Sequence, residues 1–134
     1  MEEMKRASKH PDRILSLRFL EPEEVQAVAA ECSVIVSSRL HLLILGLNNL
    51  VPGVGIARGS KIGYFLSRFG LTTAGTTDAL DLPRLTESVE HALTHPDEFR
   101  LRASAVRAEM LADLDRAAAC LKRTLEDPSP SRKT

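Results

Sequence analysis

The chain has 134 residues, with eighteen basic and eighteen acidic side chains and a formal net charge of zero. That length suits one domain with a core of its own, and the balanced charge argues against broad electrostatic binding to nucleic acid or an anionic membrane, while leaving room for a local basic pocket. With no Trp and one Tyr, stacking platforms for bases or sugar rings are not expected either.

Residues 1–12 read as a polar lead-in without the apolar h-region of a signal peptide. Over 13–20, Ile14, Leu15, Leu17, Phe19 and Leu20 alternate in part and predict a short strand. Glu21-Pro22-Glu23-Glu24 then opens a helix, with proline in the first turn and carboxylates at the positive end of the dipole. Val25, Val28, Ala29 and Cys32 give it an apolar face. Residues 33–38 form a β-branched apolar run, as expected of a strand buried on both faces of a parallel sheet. Ser38 suits the N-cap of a helix over 40–47 that ends at Asn48-Asn49.

Residues 50–57 predict another buried strand, with Pro52 at its start. After the loop Arg58-Gly59-Ser60-Lys61, the stripe Ile62, Phe65, Leu66 and Phe69 predicts a short helix closed by Gly70. Residues 71–81 read as loop with a short strand. Pro83 starts a helix broken at His95-Pro96-Asp97, and Asp78 and Asp81 are turn or cap residues. A long helical pattern covers 97–125. Its leucine stripe, Leu111, Leu114, Ala118, Leu121 and Leu125, is expected to pack on the domain or on a missing neighbour. Pro128 and Pro130 stop it, and 127–134 reads as a disordered tail.

The order β-α-β-α-β-α, followed by helix, predicts an α/β fold: a Rossmann-like parallel sheet flanked by helices, with a long C-terminal helix. One domain is expected over 13–126. Such sheets bind ligands beyond the carboxyl ends of their strands, where residues 37–41 and 58–61 are expected.

Arg39 and His41 are cation-capable groups at a strand-to-helix junction in the most apolar part of the chain. Such groups need a partner, and an anion fits. At an extended turn, period two brings them to one side, near the free N–H groups of a helix start. Arg can grip a phosphate or carboxylate with paired hydrogen bonds, and His can donate or pass a proton. The competing reading pairs Arg39 with an internal carboxylate and leaves His41 as a core residue. Lys61, opening a helix after a strand, can reach a ligand phosphate or lie solvated in its loop.

Gly53, Gly55 and Gly59 miss the spacing of a dinucleotide fingerprint, and Gly59-Ser60-Lys61 reverses a P-loop. Close packing and a tight turn explain them better. His91 and His95 are an i, i+4 pair without the Glu of a zinc protease motif, better read as a solvated helix face. Cys32 and Cys120 stand outside any CxxC pair and fit a reduced, cytoplasmic protein with no metal site. Arg39, His41, Asn48, Asn49 and Pro52 break up the apolar stretch 33–57, so no membrane span is expected.

The run Val34-Ile35-Val36-Ser37-Ser38-Arg39-Leu40-His41, the apolar helix after it, Val51-Pro52-Gly53-Val54-Gly55-Ile56, and Lys61 opening a helix that ends near Gly70 together resemble the polysaccharide pyruvyl transferase family, over about residues 14–125. Members carry an Arg-Leu-His signature after a buried strand, a Pro-led strand, and a lysine at the next helix. The resemblance implies two Rossmann-like halves of the glycosyltransferase B type, of which this chain is similar to the second. It implies transfer of the enolpyruvyl unit of phosphoenolpyruvate to a sugar hydroxyl in cell-surface polysaccharide synthesis.

Phosphoenolpyruvate is then the donor substrate, with no separate cofactor. The partners are a sugar or glycan acceptor and an N-terminal half or partner chain. By resemblance Arg39 and His41 are catalytic: Arg39 holds the donor's phosphate or carboxylate, and His41 helps bind it or acts as an acid. Lys61 completes the donor pocket, and Ser38 joins the substrate-binding residues. Ala57-Arg58-Gly59-Ser60 departs from the aromatic and acidic residues that members often place before the lysine, and no first half is present. Two other readings stay open. One is the nucleotide-sugar-binding half of another transferase or epimerase of this fold type. The other is a non-catalytic interaction module that uses its leucine stripe as a partner surface.

Overall fold

A short helix, α1 (Glu2–Ala7), and a single 3-10 turn (Pro11–Arg13) open the chain, inside the stretch expected to be a polar lead-in. The computed structural model describes residues 2–18 and 20–126. The strand expected over 13–20 does not form among the described residues. After the 3-10 turn, residues 14–18 have no regular structure, and Leu15 and Leu17 are 80% and 50% exposed. Alternating apolar side chains make a strand only where a neighbour takes up the backbone N–H and C=O groups, and this segment pairs with no strand of the sheet. Phe19 and the tail at 127–134 lie outside the described residues.

Helix α2 (Pro22–Glu31) begins where proline and carboxylates predict, and the Glu21 N–H donates to Glu24 Oε2 at 2.8 Å. Three βα units follow. Strand β1 (Ile35–Ser37) leads to α3 (Leu40–Asn48), β2 (Gly53–Ala57) to α4 (Ser60–Arg68), and β3 (Thr73–Thr76) to α5 (Leu82–Thr94). The strands are parallel, in the order β1-β2-β3, with Ser37 opposite Gly55 and Gly55 opposite Thr73. The chain is therefore α/β, a three-stranded parallel sheet flanked by helices.

Small residues let the helices approach the sheet. A Cβ at Gly53 would lie 3.1 Å from Leu43 Cδ2, and one at Gly55 2.8 Å from Ile62 Cγ2. Both glycines thus face α3 and α4. Val54, between them, points the other way, to the face where α5 packs on β2 and β3. This cover does not protect β1: Val36 is 42% exposed, so β1 is buried on one face rather than two.

The core lies on the α3/α4 face, around the fully buried Leu43 and Leu66, with Ile35, Leu47, Ile62 and Phe69 about them. The last helix, α6 (Pro96–Glu126), closes it with Phe99, Ala103 and Val106, spaced by four and three along one helix face. Beyond Met110 the helix is exposed on all sides. The leucine stripe does not pack on the domain among the described residues, since Leu111, Leu114, Leu121 and Leu125 are 53–72% exposed. On a regular helix the stripe is centred roughly 70° around from the docked face, with only Leu121 in line with Ala103.

Candidate functional site

Two consecutive βα units leave the same edge of the sheet with the same construction. After β1 come Ser38, Arg39 at the N-cap of α3, Leu40 and His41. After β2 come Arg58, Gly59 at the N-cap of α4, Ser60 and Lys61. His41 and Lys61 thus hold equivalent second positions of neighbouring helices. Adjacent parallel strands lie about 4.8 Å apart, so the two junctions are neighbours. The carboxyl ends of β1 and β2 therefore place Arg39, His41, Arg58 and Lys61 on two neighbouring junctions at the same end of the sheet.

The first junction is held by Ser37. Its hydroxyl accepts the Arg39 N–H at 2.9 Å and donates to the Arg39 carbonyl at 3.2 Å, and the residue is buried, at 8% exposure. The bracket fixes Arg39 in extended backbone, φ −107° and ψ 117°, from which the Arg39 carbonyl accepts the Leu43 N–H. Arg39, not Ser38, is therefore the N-cap, and no side chain caps the helix. The serine that matters lies one residue earlier than expected, at the last position of the strand, where its hydroxyl can reach the next turn. The second junction depends on Gly59, whose φ of 154° and ψ of −178° belong to a region open to glycine almost alone.

Arg39, His41 and Lys61 are exposed, not enclosed in the apolar interior. None of them, nor Arg58, has a carboxylate within 4.0 Å among the described residues. The internal pairing of Arg39 and the core placement of His41 are thus absent. What remains is an exposed group of cations beside two helix starts without side-chain caps, an arrangement that favours an anion. Arg58 lies in the loop 58–61 expected at a strand's carboxyl end, but the sequence reading did not single it out as a site residue. The signal for it was available, because it precedes Gly59 as Ser38 precedes Arg39.

A cleft of about 350 Å³ opens at the opposite edge, by the amino ends of β2 and β3. Pro52, Gly53, Thr72, His91 and His95 line it with others. His91 and His95 stack with ring centroids 4.7 Å apart, and both are exposed. Among the described residues, no group of three or more His, Cys, Asp or Glu side chains could hold a metal ion. No helix among them is long and apolar enough to cross a membrane.

Residues 1–60 match the family model of the polysaccharide pyruvyl transferases. This is the family that the sequence resembles. The matched span contains Ser37, Ser38, Arg39 and His41 and stops one residue before Lys61. No curated protein and no solved structure gives a significant match.

Proposed function

We propose that this chain is the donor-binding half of a polysaccharide pyruvyl transferase and takes phosphoenolpyruvate where β1 and β2 end. The observation that supports this best is Arg39. It lies in the matched span, its backbone is bracketed by Ser37, and its guanidinium has no carboxylate partner among the described residues. Phosphoenolpyruvate carries a phosphate and a carboxylate on three carbons, so its binding needs several cations and N–H donors at one point. Arg39, His41, Lys61 and the start of α3 are of that kind, with Ser38 beside them.

In the reaction, a proton goes to the methylene carbon while a sugar oxygen bonds to the adjacent carbon. Loss of phosphate and attack by a second hydroxyl then complete a ketal. His41 is the group here that delivers that proton, and Arg39 and Lys61 stabilise the departing phosphate. The sugar site and the rest of the catalytic set belong, in this proposal, to a first half of glycosyltransferase B type. Two free cysteines agree with the cytoplasm as the compartment.

A titration of the chain with phosphoenolpyruvate, followed by backbone amide shifts, tests the proposal. Saturable shifts at 38–42 and 59–61 are expected. Arg39→Ala should weaken binding about tenfold or more, as expected for loss of a charge-assisted pair. Unchanged affinity in that variant, or shifts with uridine diphosphate glucose and none with phosphoenolpyruvate, would overturn it.

A further inference from the structure

The cleft at the amino ends of β2 and β3 is on the opposite edge of the sheet from Arg39 and Lys61, and the reaction proposed above does not use it. Its floor is apolar: Val54, Phe69, Ala92 and Phe99, all at most 8% exposed, reach it from β2, the end of α4, α5 and α6. Its volume, about 350 Å³, falls within the range of small-molecule sites. Two arginines from different helices stand on its rim, each oriented by a separate contact. Arg84 Nη2 donates to Thr72 Oγ1 at 3.0 Å. Arg102 Nη1 donates to the Phe69 carbonyl at 3.4 Å.

Gly70 makes room for the second arginine. It takes φ 67° in the turn that ends α4, where the Gly70 N–H bonds to Ser67 and the Leu71 N–H to Leu66, both at 3.0 Å. A Cβ there would collide with the Arg102 guanidinium. Glycine thus serves both the turn and the arginine lying across it.

Glu87 and Glu98 line the same cleft, yet neither arginine has a carboxylate within 4.0 Å among the described residues. Glu98 instead lies 4.0 Å from His91 Nε2. The rim therefore offers two oriented, unpaired guanidinium groups over an aromatic and aliphatic floor. The two glutamates set a limit on the anion, because they repel a second negative charge.

We infer that this cleft binds a small monocarboxylate with an apolar body, its carboxylate on Arg84 and Arg102 and its body against Val54, Phe69 and Phe99. The site is separate from the donor site and would respond to a different ligand.

The probe is 3-phenylpropionate, titrated into the whole chain and followed by backbone amide shifts. A molecule of this size should saturate at about 1–10 mM, with shifts centred on Gly53, Gly70, Thr72 and Ser88. The uncharged 3-phenylpropionamide and the dianion phenyl phosphate should each bind about tenfold more weakly. Arg84→Gln and Arg102→Gln should each cost a similar factor. Equal binding of the amide or the phosphate would overturn the inference without any variant. So would shifts that do not saturate or that fall outside the cleft. Shifts from phosphoenolpyruvate belong at 38–42 and 59–61, so the same spectra distinguish failure of this site from failure of the donor site.

Discussion

Ser37 is the only buried polar residue among the described residues, and both of its hydrogen bonds go to the backbone of Arg39. Replacing it with Ala would leave the Arg39 N–H short of an acceptor in partly buried surroundings. The loss should be about 1–3 kcal/mol in urea unfolding. Phosphoenolpyruvate affinity should fall with it, because the bracket sets where Arg39 begins the helix. Normal stability and normal affinity in Ser37→Ala would show that the bracket does not matter in solution. Arg39 and His41 were legible in the sequence because charged types stand out in an apolar run. Ser37 was not, because at the end of Ile35–Ser37 it reads as one more strand residue. Which of two adjacent serines holds the turn depends on where the backbone leaves the strand, and composition does not encode that.

At the scale of elements, α4 has one glycine at its N-cap and another inside it, of opposite value. Gly59, at its N-cap, has open space where a Cβ would go, so the cost of Ala there is purely conformational. Gly59→Ala should destabilise the chain by about 1–3 kcal/mol and displace the amide signals of Ser60 and Lys61. Gly63, inside the helix, also has open space around it but no unusual backbone. Gly63→Ala should stabilise by about 0.5–1 kcal/mol, since Ala is the better helix former. Urea midpoints moving the same way in both variants would contradict this account of α4.

The helices from α2 onward were legible for local reasons, whereas α1 (Glu2–Ala7) lies in a stretch read as a polar lead-in. Asp81 caps α5 by accepting the Arg84 N–H at 3.0 Å, Pro96 opens α6, and Gly70 closes α4. Residues 13–20 misled for the converse reason. A strand is a pairing, and the pairing partner is not written in the segment itself.

For the molecule as a whole, α6 has two parts with different roles. Its first half completes the core: Ala103 has no exposed surface, and Phe99 and Val106 are 8% and 9% exposed. Its second half, residues 111–126, runs about 24 Å further without joining the core cluster. The leucine periodicity was visible in the sequence. Whether it served the core was not, because docking is decided by the face that Phe99, Ala103 and Val106 present, and the stripe lies to one side of that face. Stability should follow the same division. Phe99→Ala should cost about 3 kcal/mol, a large share of what a domain of this size has to lose. Truncation after Met110 should change the unfolding free energy by less than about 1 kcal/mol, because the exposed turns beyond it bury almost nothing. Urea unfolding of the two variants beside the full chain measures both. A loss of several kcal/mol on truncation would mean that the leucine stripe folds back onto the domain in solution.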